Sequence, residues 1–333
     1  MTATVTARHL AATPSRTVLT DCVRVATAAP SLHNSQPWRF RIADDHVDVY
    51  ADRTRRLTVV DPTGRELMMS VGAALFTLRL ALREAGCLPV LNLFPRPGEP
   101  DLAARVSVGR RAAPSAGVTS LAMAVQRRRT NRHPFARTAL PAGALDRLRA
   151  AARLEGASLA VAGPADRDAV LALARSADQD LRARDGYAEE LARWTHDDRH
   201  RRDGVPATAI GPRDALQHLP VRDFRPPHAE HDLTAVAFEA HPTIALLTTP
   251  GDTEDDWIMA GQALQRVLLT ATTLGVSAMP MSQPIELPAA RSLLTGRRTG
   301  ERAQMVLRLG YGRPVPATPR RPVTDVLVRR TKP

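Results

Sequence analysis

An internal repeat is the feature that most restricts how this chain can fold. Residues 69–86 and 258–275 lie 189 positions apart, are apolar on almost every face and end in glycine, a pattern typical of a buried helix with a glycine cap. Each is followed by a strand-like segment that also ends in glycine, residues 104–109 and 305–310. Two buried helices could look alike by accident, but the matched strands favour a repeat. A unit of this length is a half-domain, far longer than a solenoid repeat, so the sequence predicts two related halves.

The bulk composition indicates a globular chain with an excess of arginine. Of 333 residues, 44% are hydrophobic and 24% are charged, which is typical of a folded protein. The net charge of +12 raises the question of nucleic-acid binding, which would give a steeply salt-dependent affinity for DNA. Lys332 is the only lysine, aromatic residues make up only 4%, and no RNA- or DNA-binding signature is present. We therefore expect no nucleic-acid partner.

Neither the cysteines nor the apolar segments indicate a secreted or membrane protein. Cys22 and Cys87 have no CxxC spacing, so neither a disulfide framework nor a metal site is expected, and Cys22 fits a small core residue. Residues 1–16 contain no apolar core of a signal peptide. The most apolar helix candidate, residues 67–85, carries charged side chains that a bilayer would not accept. We expect a cytoplasmic protein without a membrane partner.

A rigid polar corner lies between a helix-like run, residues 18–28, and a strand-like run, residues 38–42. Pro30 and Pro37 each fix φ and keep the preceding residue out of the helical region. The side chains between them that both donate and accept hydrogen bonds are Ser31, Asn34, Ser35 and Gln36. Such a corner suits a flat heterocycle with alternating N–H and C=O edges, although segments of this composition often only connect elements.

The string A-P-S-L-H-N-S-Q-P-W-R-F, residues 29–40, resembles the P-S-x-x-N-x-Q-P-W signature of FMN-dependent nitroreductases, in the form of the actinobacterial Acg-like branch. The resemblance implies an α+β, nitroreductase-like fold with two pseudo-symmetric halves, each with a central mixed, mainly antiparallel sheet flanked by helices. Family members are typically homodimers, so it implies a fused pseudo-dimer here, a monomer in which Gly72 and Gly261 let the repeated helices approach closely. We expect the halves to span residues 1–125 and 126–333.

The resemblance also implies FMN as the cofactor, with its phosphate held by arginines. Arg128-Arg129-Thr130-Asn131-Arg132 resembles the family's R-R-S-x-R phosphate motif, which assigns phosphate contacts to Arg128, Thr130 and Arg132. A solvated basic turn is the alternative. A second pair, Arg320 and Arg321, resembles the family's carboxyl-terminal basic segment and is flanked by prolines that favour extended backbone. We expect both guanidiniums to reach the same phosphate.

The polar corner is expected to hold one edge of the flavin ring. The resemblance implies that Pro30, Ser31 and Asn34 meet the pyrimidine edge. It assigns to Gln36 the role of supporting the corner from behind. His33 is the histidine that we expect near the ring.

A second ring contact is expected just after the second repeated helix. Residues 278–284 resemble the family's x-x-P-x-E/G-G stretch, and backbone N–H groups around Met281, Ser282 and Gln283 would meet the ring near N5. For the methionine side chains, core packing is the simpler interpretation. Ser282 and Gln283 replace the usual Glu-Gly, and the larger glutamine would narrow access to the ring.

The two halves do not carry the same motifs. The first has the polar corner but no counterpart of the basic phosphate motif. The second has the basic motif, but residues 154–158, Leu-Glu-Gly-Ala-Ser, stand where a second P-S-x-x-N should fall. We therefore predict a single flavin site assembled from both halves instead of two equal sites.

A long, weakly patterned insertion, about residues 185–232, separates a helix-like run from the strand-like residues 243–248. Long irregular segments in enzymes are usually lids or disordered. The Asp-Gly-Val-Pro sequence at residues 203–206 resembles Acg-like relatives, which implies a segment that covers the flavin, with Trp194 and Val205 shielding the ring. A plain surface loop is the alternative. The histidines of the insertion lack the spacing of metal ligands.

Two functions fit these features. The first is an oxidoreductase in which a hydride from NAD(P)H reaches flavin N5 and passes to a nitro, quinone or related acceptor. No catalytic acid, base or nucleophile of the protein is required, and none is assigned. The second is a protein that sequesters or stores FMN, or responds to redox stress, with a lid over the flavin and little or no turnover. Gln283 and the insertion favour the second.

Overall fold

The computed structural model describes residues 14–224, 234–295 and 300–328. Up to residue 125 its elements are α1 (Arg16–Ala26), β1 (Trp38–Ile42), β2 (His46–Ala51), α2 (Arg65–Glu84), β3 (Cys87–Leu93), β4 (Leu102–Arg111) and α3 (Ala116–Val125). The elements that follow are α4 (Ala142–Arg153), β5 (Ser158–Val161), α5 (Pro164–Arg182), α6 (Tyr187–Arg193), β6 (Thr195–His196), β7 (Val205–Pro206), β8 (Arg213–Asp214), β9 (Ala235–Val236), β10 (Thr243–Thr249), α7 (Glu254–Thr273), β11 (Ser277–Met281), α8 (Gln283–Glu286), α9 (Pro288–Leu294), β12 (Arg302–Gly310) and α10 (Val323–Val326).

Two four-stranded sheets share one topology. The strand order is β1-β2-β4-β3 in the first sheet and β5-β10-β12-β11 in the second. In the first sheet the long helix α2 joins β2 to β3, and in the second the long helix α7 joins β10 to β11. The predicted α+β class is confirmed. The strand pairs within both four-stranded sheets are antiparallel, and parallel bridges at the sheet edges join Leu327 to Phe40 of β1 and Thr130 to Ala278 of β11. The expectation of mixed, mainly antiparallel sheets is therefore confirmed. Strands that follow one another through short turns, such as β1 and β2, can pair only in opposite directions.

The two repeated helices cross at their glycines. Helices α2 and α7 begin and end at positions that differ by the predicted offset. A Cβ atom built on Gly72 would overlap the carbonyl oxygen of Ile258, and one built on Gly261 would overlap that of Met69. Only glycine lets the backbones come this close. The predicted close approach of the helices at Gly72 and Gly261 is confirmed.

Local sequence sets where these central helices begin. The hydroxyl of Thr253 accepts a hydrogen bond from the backbone N–H of Asp256, whose carboxylate accepts one from the Thr253 N–H, a capping box that starts α7. Asp61 caps the start of α2, because its carboxylate accepts hydrogen bonds from the N–H groups of Glu66 and Leu67 at 3.1 and 2.8 Å. Asp256 is thus a capping residue.

The described part of the insertion, residues 185–224, packs on the first half. Tyr187, Trp194 and Phe224 are buried in a hydrophobic cluster together with Leu57 and Val60 of the first half. The plain surface loop is therefore wrong, because α6 and the segment that follows it bury apolar side chains against the first half. Residues 225–232 of the predicted insertion, which include His228 and His231, lie outside the described residues.

The carboxyl-terminal segment returns to the first half. Leu327 bridges to Phe40 of β1, and the N–H of Val328 donates to the Phe40 carbonyl at 2.7 Å. Residues 311–322 thereby cross the junction between the two sheets. Cys22 and Cys87 are buried free thiols, and Cys22 belongs to the core of the first half as expected. Along the described parts of the chain, no helix has the length and apolarity needed to cross a membrane.

Candidate functional site

Two adjoining cavities lie where the polar corner, the basic motif and the carboxyl-terminal segment meet. Both are lined by Pro30, Ser31, His33, Thr130 and Arg132, so they form one continuous site. The cationic compartment is further lined by Asn34, Arg128, Arg129, Val205, Thr318 and Arg320. The apolar compartment is further lined by Glu66, Met69, Ser70, Ala73, Arg222, Phe224, Leu264, Met279, Pro280, Ser282, Gln283 and Met305.

The corner is a tight turn with strained backbone. His33, Asn34 and Gln36 have φ values of 45°, 55° and 50°, in the left-handed region that non-glycine residues rarely adopt. The hydroxyl of Ser31 accepts a hydrogen bond from the Gln36 N–H at 2.9 Å and closes the turn. Strain of this kind persists only where the surroundings hold it in place, and it is common at ligand sites.

Asn34 and Gln36 supply the contacts that hold the turn. The Asn34 side-chain NH2 donates to the carbonyls of Gly204 and Pro319 at 2.9 and 3.1 Å, and its Oδ1 accepts from Arg320 at 2.9 Å. The Gln36 side chain donates to the Arg202 carbonyl and accepts from the Arg321 N–H, both at 2.8 Å. Because both donors of Asn34 are used within the protein, this residue ties the corner to the insertion and to the carboxyl-terminal segment.

His33 is the corner residue whose polar atoms remain free. It is buried, and neither ring nitrogen has a hydrogen-bond partner among the described residues. Its ring meets Phe224 of the insertion edge to face, with centroids 5.0 Å apart. Burial, together with the neighbouring Arg222 and Arg132, lowers the pKa of His33 well below its usual value. The imidazole is therefore neutral, with one donor and one acceptor facing the site.

The cationic compartment concentrates guanidiniums without carboxylates. Arg128 is buried and Arg132 and Arg320 are partly buried, and none of the three is ion-paired within the described part of the chain. The Nε atoms of Arg128 and Arg320 have no hydrogen-bond partner among residues 14–224, 234–295 and 300–328. Arg132 donates to the Ala209 carbonyl at 2.8 Å and stacks on the Phe224 ring at 4.7 Å.

These arginines are poorly solvated. Burial, followed by the charges of Arg320 and Arg129, lowers the pKa of Arg128 to about 9. Burial and a neighbouring guanidinium lower the pKa of Arg132 and that of Arg320 to about 10. Each guanidinium still carries its charge at neutral pH, but at an energetic cost that an anion in the compartment would relieve.

The apolar compartment is a slot between the central helices and the second sheet. Met69 and Ala73 come from α2, Leu264 from α7 and Met279 from β11. Phe224 covers the slot from the insertion. Apolar walls with few polar groups suit a flat ring.

Charged groups stand at one end of this slot. Nη2 of Arg222 donates to both carboxylate oxygens of Glu286 at 2.7 Å, and Arg65 donates to one carboxylate oxygen of Glu66 at 2.7 Å. The amide of Gln283 donates to the Pro220 carbonyl at 3.2 Å, so that its side chain is directed to the insertion.

The structure brings most of the sequence-predicted site residues to the cavity. Nine of the twelve line it: Pro30, Ser31, Asn34, Arg128, Thr130, Arg132, Ser282, Gln283 and Arg320. Gln36 lies behind the corner, Met281 packs in the core with Ile285 and Val306, and Arg321 faces away. The Arg321 guanidinium donates to the Gln36 and Asp325 carbonyls. Neighbouring side chains of an extended segment point in opposite directions, so Arg320 and Arg321 cannot both face the cavity.

Several lining residues were not found by sequence analysis. Glu66, Arg222 and Phe224 belong to no motif, and only the packing of α2 and the insertion brings them to the site. Of the two residues expected to shield the ring, Val205 lines the cationic compartment, whereas Trp194 packs in the core of the insertion. Arg55 and Arg201 lie over the Trp194 ring.

The chain belongs to the NAD(P)H nitroreductase family and, within it, to the Acg-like group. The Mycobacterium tuberculosis (strain H37Rv) protein Rv3131, named as an NAD(P)H nitroreductase, is 32% identical over 94% of this chain and 90% of its own length. Acg of the same strain, also named as an NAD(P)H nitroreductase, is 32% identical over 95% of this chain and 96% of its own length. No family model matches the chain.

Solved nitroreductase structures are more distant. The FMN-dependent nitroreductase NfnB from Mycobacterium smegmatis, in complex with NADPH, is 18% identical with a TM-score of 0.38, over 64% of this chain and 100% of that one. A nitroreductase with bound FMN from Bacteroides fragilis is 15% identical with a TM-score of 0.37, over 63% of this chain and 95% of that one.

Proposed function

We propose that this chain is an FMN-binding oxidoreductase that takes hydride from NAD(P)H and reduces a nitro, quinone or related acceptor. The observation that carries the proposal is the junction of a compartment of unpaired guanidiniums with an apolar slot. FMN has the matching pair of ends, a dianionic phosphate and a flat ring. The names of the relatives support the same chemistry.

The residues present fit FMN at both ends. Arg128 and Arg320, with unpartnered Nε atoms, and the hydroxyl of Thr130 would hold the phosphate. The apolar slot would hold the ring, and the free nitrogens of His33 would meet a polar group of the ligand. When bound, the flavin supplies the hydride chemistry. The chain's own residues bind and orient the reactants and keep water from the slot.

Sequestration of FMN is the second candidate, and the insertion favours it. The carbonyl of Gly204 accepts from the Asn34 side chain, and the N–H of Gly204 donates to the Asn34 carbonyl at 3.1 Å. The Gln36 side chain donates to the carbonyl of Arg202. Phe224 reaches into the apolar slot. A cover joined to the corner in this way would hold FMN firmly and leave little room for a nicotinamide.

A spectrum and a turnover assay separate these functions. The purified protein should be yellow, and heating should release FMN identifiable by chromatography. NAD(P)H oxidation in the presence of nitrofurazone or menadione supports the oxidoreductase. Bound flavin that excess NAD(P)H does not reduce supports sequestration, and a colourless protein that does not take up added FMN contradicts both. Comparison of NADH with NADPH in the same assay defines the preferred donor.

The assembly is proposed to be a monomer with two halves, residues 1–125 and 126–333. Helices α2 and α7 already provide within one chain the close helix pair that family homodimers form between subunits. Light scattering during size-exclusion chromatography should give the mass of one chain. A dimer would contradict this proposal without affecting the cofactor.

A further inference from the structure

Glu66 forms part of a wall between the apolar compartment and a second cavity. This outer cleft, on the far side of Glu66, is lined by Asp61, Arg65, Glu286 and the exposed residues Pro62 and Thr63, among others. Glu66 lines both cavities although it is only 3% exposed. A single buried carboxyl therefore separates the ring slot from a cleft that reaches the surface.

The hydrogen bonds at this wall leave Glu66 incompletely satisfied. Its Oε1 accepts from Arg65 at 2.7 Å, whereas its buried Oε2 has no hydrogen-bond partner in the part of the chain that the structure describes. The two neighbouring carboxylates are better served. Asp61 accepts two backbone N–H groups, and both carboxylate oxygens of Glu286 accept from Nη2 of Arg222.

The charges at the wall favour one bound proton. Three buried carboxyls, Asp61, Glu66 and Glu286, face only two buried guanidiniums, Arg65 and Arg222. At the outer end of the cleft, Arg291 and Asp252 neutralise each other. The carboxyl with the fewest partners holds the proton most readily. In agreement, the pKa of Glu66 is raised well above its usual value, chiefly by burial. The charges of Glu286 and Asp61 also raise this pKa, and the charge of Arg65 opposes them.

We propose that Glu66 holds a proton at the inner wall of the apolar compartment and donates it to an acceptor that is reduced there. The proposal rests on the proposed oxidoreductase function. A quinone that has gained a hydride equivalent derived from NAD(P)H carries a phenolate oxygen. The O–H bond of Glu66 breaks and a phenolic O–H bond forms, without further oxidation or reduction.

The outer cleft allows the proton to be replaced without opening the slot. The Glu66 carboxylate takes a proton from water that enters past Pro62 and Thr63. One quinone, one NAD(P)H and one proton are thus converted into one hydroquinone and one NAD(P)+. The hydride reaches the acceptor within the slot, whereas the proton on Glu66 is replaced from the outer cleft. Bulk water therefore does not need to enter the slot.

The variant Glu66→Gln tests the proposal because it keeps the size and the Arg65 contact but cannot release a proton. Glu155→Gln is the matched control, since Glu155 is a largely buried carboxylate that pairs with Arg79 and Arg266 away from both cavities. Infrared spectroscopy of the purified proteins at neutral pH should show the C=O band of a protonated carboxyl in the wild type and in E155Q, and its loss in E66Q. This measurement needs no turnover.

Stopped-flow kinetics with FMN-loaded protein provides the second readout. Flavin reduction by NAD(P)H should be the same in E66Q and the wild type, whereas reoxidation by menadione should slow by roughly 100-fold, a usual loss for a general acid. In the wild type, the menadione step should slow at the pH where the infrared band disappears, and this test remains if E66Q does not fold. An absent band, a band that survives in E66Q, or equal menadione rates would each overturn the role of Glu66. A wild type that reduces no acceptor would overturn the proposed function as well.

Discussion

Replacing Arg128 with methionine should remove most of the affinity for FMN while leaving the FMN-free protein at least as stable as before. The wild-type guanidinium is buried without a carboxylate, and burial with the charges of Arg320 and Arg129 lowers its pKa to about 9. Such a displacement corresponds to a cost on the order of 5 kcal/mol for keeping the group charged. Methionine fills similar space without that cost.

The substitution is expected to affect FMN binding and the stability of the FMN-free protein in different ways. Loss of a charge-assisted contact to a buried phosphate should weaken FMN binding by about 3 kcal/mol, on the order of 100-fold in Kd. The stability of the FMN-free variant should equal or exceed that of the wild type. Because the folded pKa of Arg128 is depressed, the cost is fully present at neutral pH and declines only as the pH rises past about 9.

Urea unfolding with and without saturating FMN, combined with calorimetric titration of FMN, measures both effects. Arg308→Met is the matched control, because Arg308 is equally buried but makes two 2.6 Å bonds to Glu239. Breaking that pair should destabilise the protein by about 3–5 kcal/mol. The reasoning about Arg128 is refuted if FMN-free R128M is less stable than the wild type by more than about 1 kcal/mol, or if its Kd for FMN is unchanged.

Three further predictions concern the framework of the site. Gly261→Ala should lower the free energy of unfolding by about 3 kcal/mol in thermal melts, because its methyl group would separate the central helices; Gly143→Ala, which meets no atom within 4 Å, should not destabilise. Burial raises the pKa of Asp48, but hydrogen bonds from two arginines outweigh it and lower the pKa overall. Asp48 therefore stabilises the fold above the ordinary aspartate pKa, and this contribution is lost as the pH falls through the folded value, so Asp48→Asn should flatten the acid side of the unfolding profile. Asn34→Ala should speed FMN release, measured by recovery of flavin fluorescence, because it frees the corner from the insertion; an unchanged release rate would contradict this role.

The local elements of this protein follow from short stretches of neighbouring residues. The repeated apolar segments specify α2 and α7 because helical periodicity and glycine caps are read from neighbouring residues. The crossing at Gly72 and Gly261 was also foreseeable, since two matched glycines on buried helices have few other uses. The corner at residues 29–38 and the basic motif at residues 128–132 are short strings whose chemistry is independent of the rest of the chain.

Which side chains face the cavity, and which groups lie between them, depends on how distant segments pack in the fold. Arg320 faces the cationic compartment and Arg321 does not, because extended backbone alternates its side chains and the sequence does not specify the register. Glu66 and Arg222 are far apart in sequence and line the same compartment only after the insertion packs on Leu57 and Val60 of the first half. Interactions of this kind depend on contacts between distant segments. No local pattern of residues records them, so their charges and hydrogen bonds become visible only in the folded chain.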